Sequence, residues 1–284
     1  MIGARVGLSL APTTIDSDER PDVLGNVQGR VARLDEQVIE PATVLECFAR
    51  RHRDALMQID ADHGLEFAMT DHGDVDHVRL IDPTSGAPID LAARVVVFAA
   101  GGGNEALREA VGLDTAAAQR RPLHMVVARG DLPELNGHCV DGTTTRITVT
   151  TSTDTSGRTL WQVGGQIAED GVDLDAESLV ARAAEEVRVC LPGIELTGVE
   201  WSTYRIDRAE SAASGRRPDD VSVLRDGNVV TAWPTKLVLA PALATRVADM
   251  LDAPRGGDAL PADVAKPVVA LPPWETEMRW SHDV

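Results

Sequence analysis

Apolar positions recur along the chain in periods that name its elements. Val44, Leu45, Phe48, Leu56 and Ile59 fall on one helical stripe with Arg50, Arg51 and Arg53 off it, and Glu40-Pro41 opens the segment with proline at the first helical position. This predicts a helix from Pro41 to near Asp60. Before it, Val31 to Leu34 alternates briefly, while residues 1–28 have no period and read as irregular, with a polar stretch, Thr13 to Asp22, between Pro12 and Pro21. Leu65 to Met69, Val75 to Ile81 and Ile89 to Leu91 are short apolar runs parted by His72-Gly73-Asp74 and by Asp82 to Gly86, the pattern of a β-meander. Arg94 to Ala100 is a continuous β-branched run, as in a parallel strand covered on both faces. Gly101, Gly102 and Gly103 break it, Asn104 is placed to cap, and Ala106, Leu107, Ala110 and Val111 make a short helix closed by Gly112.

From Pro122 the texture changes. Leu123 to Ala128, Thr143 to Thr151, Thr159 to Ile167 and Val199 to Arg205 are rich in Val, Thr, Ile and Trp, with a hairpin tip at Asp154 to Gly157. Within them Asp175 caps a helix whose stripe is Leu179, Ala183, Val187 and Leu191. Asn228 to Trp233 returns to strand character, and Pro234 to Pro241 leads into a helix with Leu243, Val247, Met250 and Leu251 inward. The fold class is α/β plus α+β. The expected domains are an irregular segment over 1–28, an α/β domain over 29–120 and 228–252, an antiparallel β domain over 121–227, and a Pro/Gly-rich surface tail over 253–284.

Composition narrows the function. The 284 residues are 43% hydrophobic, enough for real cores. Lys+Arg 27 against Asp+Glu 45 gives net charge -18, which repels a phosphate backbone and excludes nucleic acid as a main partner. No run reaches the roughly 18 apolar residues of a membrane span and the start lacks a secretory layout, so a cytoplasmic protein is expected. Cys47, Cys139 and Cys190 lie far apart without CxxC spacing and read as reduced structural thiols.

Three segments carry candidate chemistry. Gly101 to Ala106 matches a relaxed G-x-G-x-x-A turn between strand and helix, where bare backbone and a helix N-terminus can approach a ligand; Asp131 lies beyond the usual distance of about 20 residues for the ribose-binding acid. In Trp233 to Pro241, Lys236, one of two lysines in the chain, sits between a strand and a capped helix, where it either stabilises negative charge on a ligand ring or is a solvated loop residue. Trp201 to Arg205 holds the single tyrosine, and Arg205, Arg208, Arg216 and Arg217 either bind an anion or neutralise acids such as Asp207 and Glu210. His63, His72 and His77 beside Asp71, Asp74 and Asp76 have no helical ligand spacing, so no metal site is assigned. Without a G-x-S-x-G elbow, hydrolase chemistry is not indicated.

In order and spacing these segments resemble the D-amino acid oxidase and glycerol-3-phosphate dehydrogenase superfamily of flavoproteins. The resemblance covers about Gly29 to Leu251 and rests on "RLDEQVIEPATVLECFARRH", the meander, "ARVVVFAAGGGNEAL", "WQVGGQIAEDG", "WSTYRIDRAE" and "TAWPTKLVLAPALA". It implies a glutathione-reductase-like FAD-binding domain with an antiparallel β-rich substrate domain. It also implies that Ala99, Ala100, Gly101, Gly102 and Gly103 pass close to FAD, and that Thr235, Lys236 and Leu237 sit against the pyrimidine end of its ring. Arg205 would anchor a substrate carboxylate or phosphate, so Arg205 and Lys236 are the implied catalytic pair. In such proteins the ADP half of FAD is held by an N-terminal strand, a G-x-G-x-x-G turn and a helix. Met1 to Asp22 contains no such fingerprint, so the FAD-binding domain is expected to be incomplete and the chain a truncated or split form, with a separate chain as a possible source of the unit.

The leading expectation is therefore an FAD-dependent oxidoreductase acting on a C–N or C–O bond of a small anionic substrate. The alternatives are a non-catalytic remnant or small-acid-binding module without flavin, and a nicotinamide-dependent enzyme using Gly101 to Ala106.

Overall fold

A computed structural model describes residues 11–60, 62–253, 255, 257, 260–276 and 278–282. The first ten residues of the expected irregular segment, and part of the expected tail, lie outside the described residues. In chain order the elements are β1 (Thr13–Ile15), β2 (Val31–Arg33), α1 (Pro41–Arg51), β3 (Leu65–Met69), β4 (Val75–Ile81), β5 (Pro88–Leu91), β6 (Val96–Phe98) and α2 (Asn104–Ala110). They continue with β7 (Ala118–Gly130), β8 (Gly137–Asp141), β9 (Thr144–Thr153), β10 (Thr159–Gly164), α3 (Gln166–Asp170), α4 (Ala176–Cys190), β11 (Glu200–Ser211), β12 (Ser222–Asp226), β13 (Val229–Trp233) and α5 (Ala240–Ala248). No helix among the described residues is long and apolar enough to cross a membrane.

The chain forms two compact units. One holds Pro122–Ile206, the described residues up to Val44 and those from Ala270 on; the other holds Leu45–Arg121 and Asp207–Val269. The expected β domain over 121–227 is thus corrected at its end: residues after Ile206 belong to the second unit, because β12 pairs with β13 there.

The first unit is built on a five-stranded sheet in the order β11-β7-β10-β9-β8, with antiparallel β7–β10, β10–β9 and β9–β8 pairs. Alternation along β10 gives the sheet two apolar faces. Trp161 and Val163 pack with Leu179, Ala183 and Val187 of α4, whose N-terminus is capped by Asp175 accepting the Ser178 N–H at 2.8 Å. Leu160 lies in a second cluster with Val127, Tyr204, Trp274, Met278 and Trp280. The tail is therefore no loose surface segment: Trp274 is 8% exposed, Glu275 accepts from Thr155, and Ser281 bridges antiparallel to Trp201. The start is also less irregular than expected, since β1 pairs with β2 and Leu24 and Val27 pack on the α4 core. Cys139 and Cys190, distant in sequence, meet against that core; burial, then the neighbouring thiol, pushes Cys139 up to about 12.

The second unit contains the meander β3-β4-β5 and a three-stranded sheet, β12-β13-β6. Phe98 is buried among Val75, Val78, Val111 and Val229, while Leu243 of α5 packs on Val221 and Ala232. Three expectations fail here. β6 is short, an edge strand, and Val97 is 39% exposed, so it is not covered on both faces. The helix expected to reach Asp60 leaves α-geometry at His52 (φ -112°), and no residue of α1 is buried, Phe48 being 58% exposed. Met250 and Leu251 fall beyond the end of α5 and are partly exposed.

Asp82, 3% exposed, ties the segment following Pro261 to the meander: its carboxylate accepts the Ala265 N–H at 2.7 Å, the Ser85 N–H at 2.7 Å and the Thr84 N–H at 2.9 Å. These backbone donors, Ala265 first and then Ser85, lower its pKa to about 2. A carboxyl held below its unfolded value of about 3.9 contributes stability above that pH and loses it as the pH falls toward the folded value. Urea midpoints of wild type and Asp82→Asn, compared across pH, are expected to differ most above about pH 4 and to draw together by about pH 2; a difference independent of pH would contradict this role.

Candidate functional site

β13 runs parallel to β6, with Val229 opposite Val96, Val230 opposite Val97 and Thr231 opposite Phe98. Parallel pairing sends both chains out of the sheet at the same edge, so the Ala99–Gly103 segment and the Pro234–Leu237 loop emerge side by side. Asn104, fully buried, joins them: its side-chain oxygen accepts the Ala100 N–H at 2.8 Å and its amide donates to the Ala232 carbonyl at 3.1 Å. Asn104 was expected to cap α2 from outside. It is instead the first residue of the helix, with Gly103 at the N-cap, because its amide has these two backbone partners to satisfy.

The two loops differ in kind. Ala99 and Ala100 are exposed, and Gly101 to Gly103 form a single tight turn. Gly101 has φ +58° with nothing within 4 Å of where a β-carbon would stand, so its bare face is open. Opposite, Thr235 holds φ +63°, a strained conformation for a β-branched residue, and its hydroxyl donates to the Asp220 carbonyl at 2.9 Å. The Asp220 carboxylate pairs with Arg246, and its pKa is lowered by the Val221 N–H and by that arginine. Lys236 is exposed and its ammonium has no bonding partner among the described residues; Leu237 and Val238 beside it are 45% and 59% exposed.

A closed crevice with no room even for a water molecule lies against the glycine turn, lined by Gly101, Gly102, Gln119, Arg120, Ala209 and Trp233, among others. Arg120 closes it, donating to the Gly102 carbonyl at 2.7 Å and to Glu105 at 3.2 Å. Trp233 is 1% exposed and its indole N–H is buried without an acceptor among the described residues. Behind the turn Arg108, 3% exposed, donates to Asp114, Asp226 and Thr231, and buried Glu210 accepts from Arg121 at 2.8 and 3.1 Å. Burial pushes the Glu210 carboxyl up, and Arg121 more than reverses it.

Arg205 lies in the first unit, on β11, where its guanidinium donates to the carbonyls of Val172 and Leu174. Two of its five N–H groups are so used. The sequence reading did not find Arg120, Trp233 or the inward role of Asn104. A buried-strand pattern ending in Trp233 was visible, but nothing local marks an indole left without an acceptor. Among the described residues no cluster of His, Cys, Asp and Glu could hold a metal ion.

A bare glycine turn and a cationic loop at the carboxyl edge of parallel strands is where α/β proteins take their ligands. No family model matches the chain. It is 43% identical over 194 residues to the probable FAD-dependent oxidoreductase PA4991 of Pseudomonas aeruginosa, an alignment covering 66% of this chain and 49% of that protein, so the chain spans about half the length of the curated relative it matches. Against the crystal structure of that Pseudomonas protein the TM-score is 0.81 at 34% identity, covering 95% of this chain and 76% of the other. The chain belongs to the family of FAD-dependent oxidoreductases. L-proline dehydrogenase from P. horikoshii shares the fold, with TM-score 0.55 at 11% identity, covering 88% of this chain and 66% of that one.

Replacing Asn104 by Ala leaves the Ala232 carbonyl and the Ala100 N–H without their partner in a buried setting. It is expected to cost about 2–3 kcal/mol in urea unfolding; a variant as stable as wild type would show that the two loops are held by something else.

Proposed function

We propose that the chain forms the ring-binding part of an FAD-dependent oxidoreductase that oxidises a C–N or C–O bond of a small anionic metabolite. One observation carries the reading: the glycine turn and the Thr235–Leu237 loop, far apart in sequence, leave one sheet edge together through the Asn104 bridge. The residues fit a flat ring with polar edges. Among the described residues, exposed Ala99 and Ala100 with the open Gly101 position offer a bare backbone face, Leu237 and Val238 an apolar one, Lys236 an unspent positive charge and Trp233 an unspent N–H.

When bound, the flavin supplies the redox step by accepting a hydride from the substrate. The chain's own residues orient and polarise. Lys236 stabilises negative charge at the pyrimidine end of the ring, and Thr235 keeps the loop in the strained turn that presents it. On the first unit, Arg205, held by two carbonyls with three N–H groups unused among the described residues, is suited to bind a carboxylate or phosphate. The adenosine half calls for a strand–glycine–helix unit. Among the described residues, Gly101 to Ala110 is too short for it, α2 having seven residues. Among the described residues β6 pairs on one side only, which leaves an edge where a strand of such a unit could add. That short helix and the missing partner acid also weigh against Gly101 to Ala106 serving a nicotinamide dinucleotide.

The test is a titration of the purified protein with FAD, followed by anaerobic addition of small amino acids and hydroxy acids. The expected result is flavin uptake with quenching and bleaching of the visible bands by one of these acids. Lys236→Met should slow bleaching at least about tenfold. A protein that stays colourless and takes up no FAD contradicts the proposal.

A further inference from the structure

Trp233 stands out among the buried polar groups of the second unit. Buried indole N–H groups usually find an acceptor, as Trp161 does at the Pro133 carbonyl, 2.8 Å away. Trp233, equally buried, has none, although a phenylalanine would bury most of the same surface without a polar atom to satisfy. Leaving such a buried donor without an acceptor disfavours the structure, so the ligand-free form carries a cost that an incoming acceptor removes.

The surroundings say where that acceptor comes from. Trp233 lines the crevice beside Gly101 and Gly102, and Arg120 lines it as well. As it stands the crevice has no room even for a water molecule, so it takes a ring edge only if a wall moves. Arg120 is the wall able to do so. Its side chain is 49% exposed and is held by the Gly102 carbonyl, Glu105 and, at 3.7 Å, Asp207; no backbone change is needed to swing it out. The atom that would meet a β-carbon at Gly102 is Arg120 Nη1, at 3.5 Å, so the guanidinium covers the bare glycine face itself.

Resting on the flavin reading above, we propose that Arg120 is a latch over the glycine turn, and that its release lets the Trp233 indole N–H donate to an acceptor atom on the edge of the flavin ring. Trp233 is then a binding residue that fixes ring position, and Arg120 a positioning residue that sets how readily the crevice opens. The proton stays on the indole nitrogen; no bond is made or broken.

Riboflavin, which has the ring without the adenosine end, isolates this contact. Indole-¹⁵N labelling gives one N–H signal for each of the five tryptophans. On saturation with riboflavin the Trp233 signal should move downfield, as for a newly made hydrogen bond, while that of Trp161 stays. Trp233→Phe should bind riboflavin about tenfold or more weakly, the size expected for a lost buried donor, and Arg120→Ala should bind it with a faster association rate. Riboflavin binding with an unmoved Trp233 signal overturns the inference and leaves the flavin reading standing, and the labelled wild type gives this answer even if the Phe variant does not fold. A wild type that binds neither riboflavin nor FAD removes both.

Discussion

Parallel pairing of β6 with β13 is the constraint on which the candidate site depends. Three residue pairs bring together segments that the β-sheet unit separates in the chain, and because the pairing is parallel, both strands deliver their following loops to the same edge. An antiparallel arrangement would send them to opposite ends. Asn104 converts this adjacency into a fixed distance, since its amide bonds backbone of both segments, 128 residues apart at its far partner, and is fully buried while doing so. The strain at Thr235 and the open face at Gly101 are then held in place by a network that does not itself need a ligand.

That network leaves certain groups unspent. Arg108, Glu210 and Asp220 are each satisfied by partners within the unit. Among the described residues, Lys236, the Gly101 face and the Trp233 indole are not. Three groups of different chemistry left free around one sheet edge are the basis of the proposed ligand, one with an apolar face, a negative region and an acceptor edge.

Much of the fold was legible in the sequence because its periods are local. The meander was marked by Gly and Asp turns between runs of alternating residues, and α4 by Asp175 and the Leu179, Ala183, Val187 stripe. What was not legible depends on long-range pairing. The α1 stripe has correct helical spacing yet buries nothing, since spacing says only that a face exists. Trp274 and Trp280 sit in a Pro-rich tail whose composition reads as loop, and only the second face of the β10 sheet gives them a place. Asn104 looked like a cap because Asn usually caps, and the Ala232 carbonyl that recruits it inward comes from a distant strand. The loops of the site could be named from the sequence; the arginine that closes one of them could not, since Arg120 differs from other surface arginines only in what it covers.

The central claim is that the two loops face one flat heteroaromatic ring. Photolabelling with an azidoflavin, followed by peptide mapping, tests it most directly. The account predicts adducts in both the Ala99–Gly103 and the Thr235–Leu237 peptides, each suppressed by excess FAD. Labelling that is confined to other peptides, or that FAD does not suppress, would contradict it.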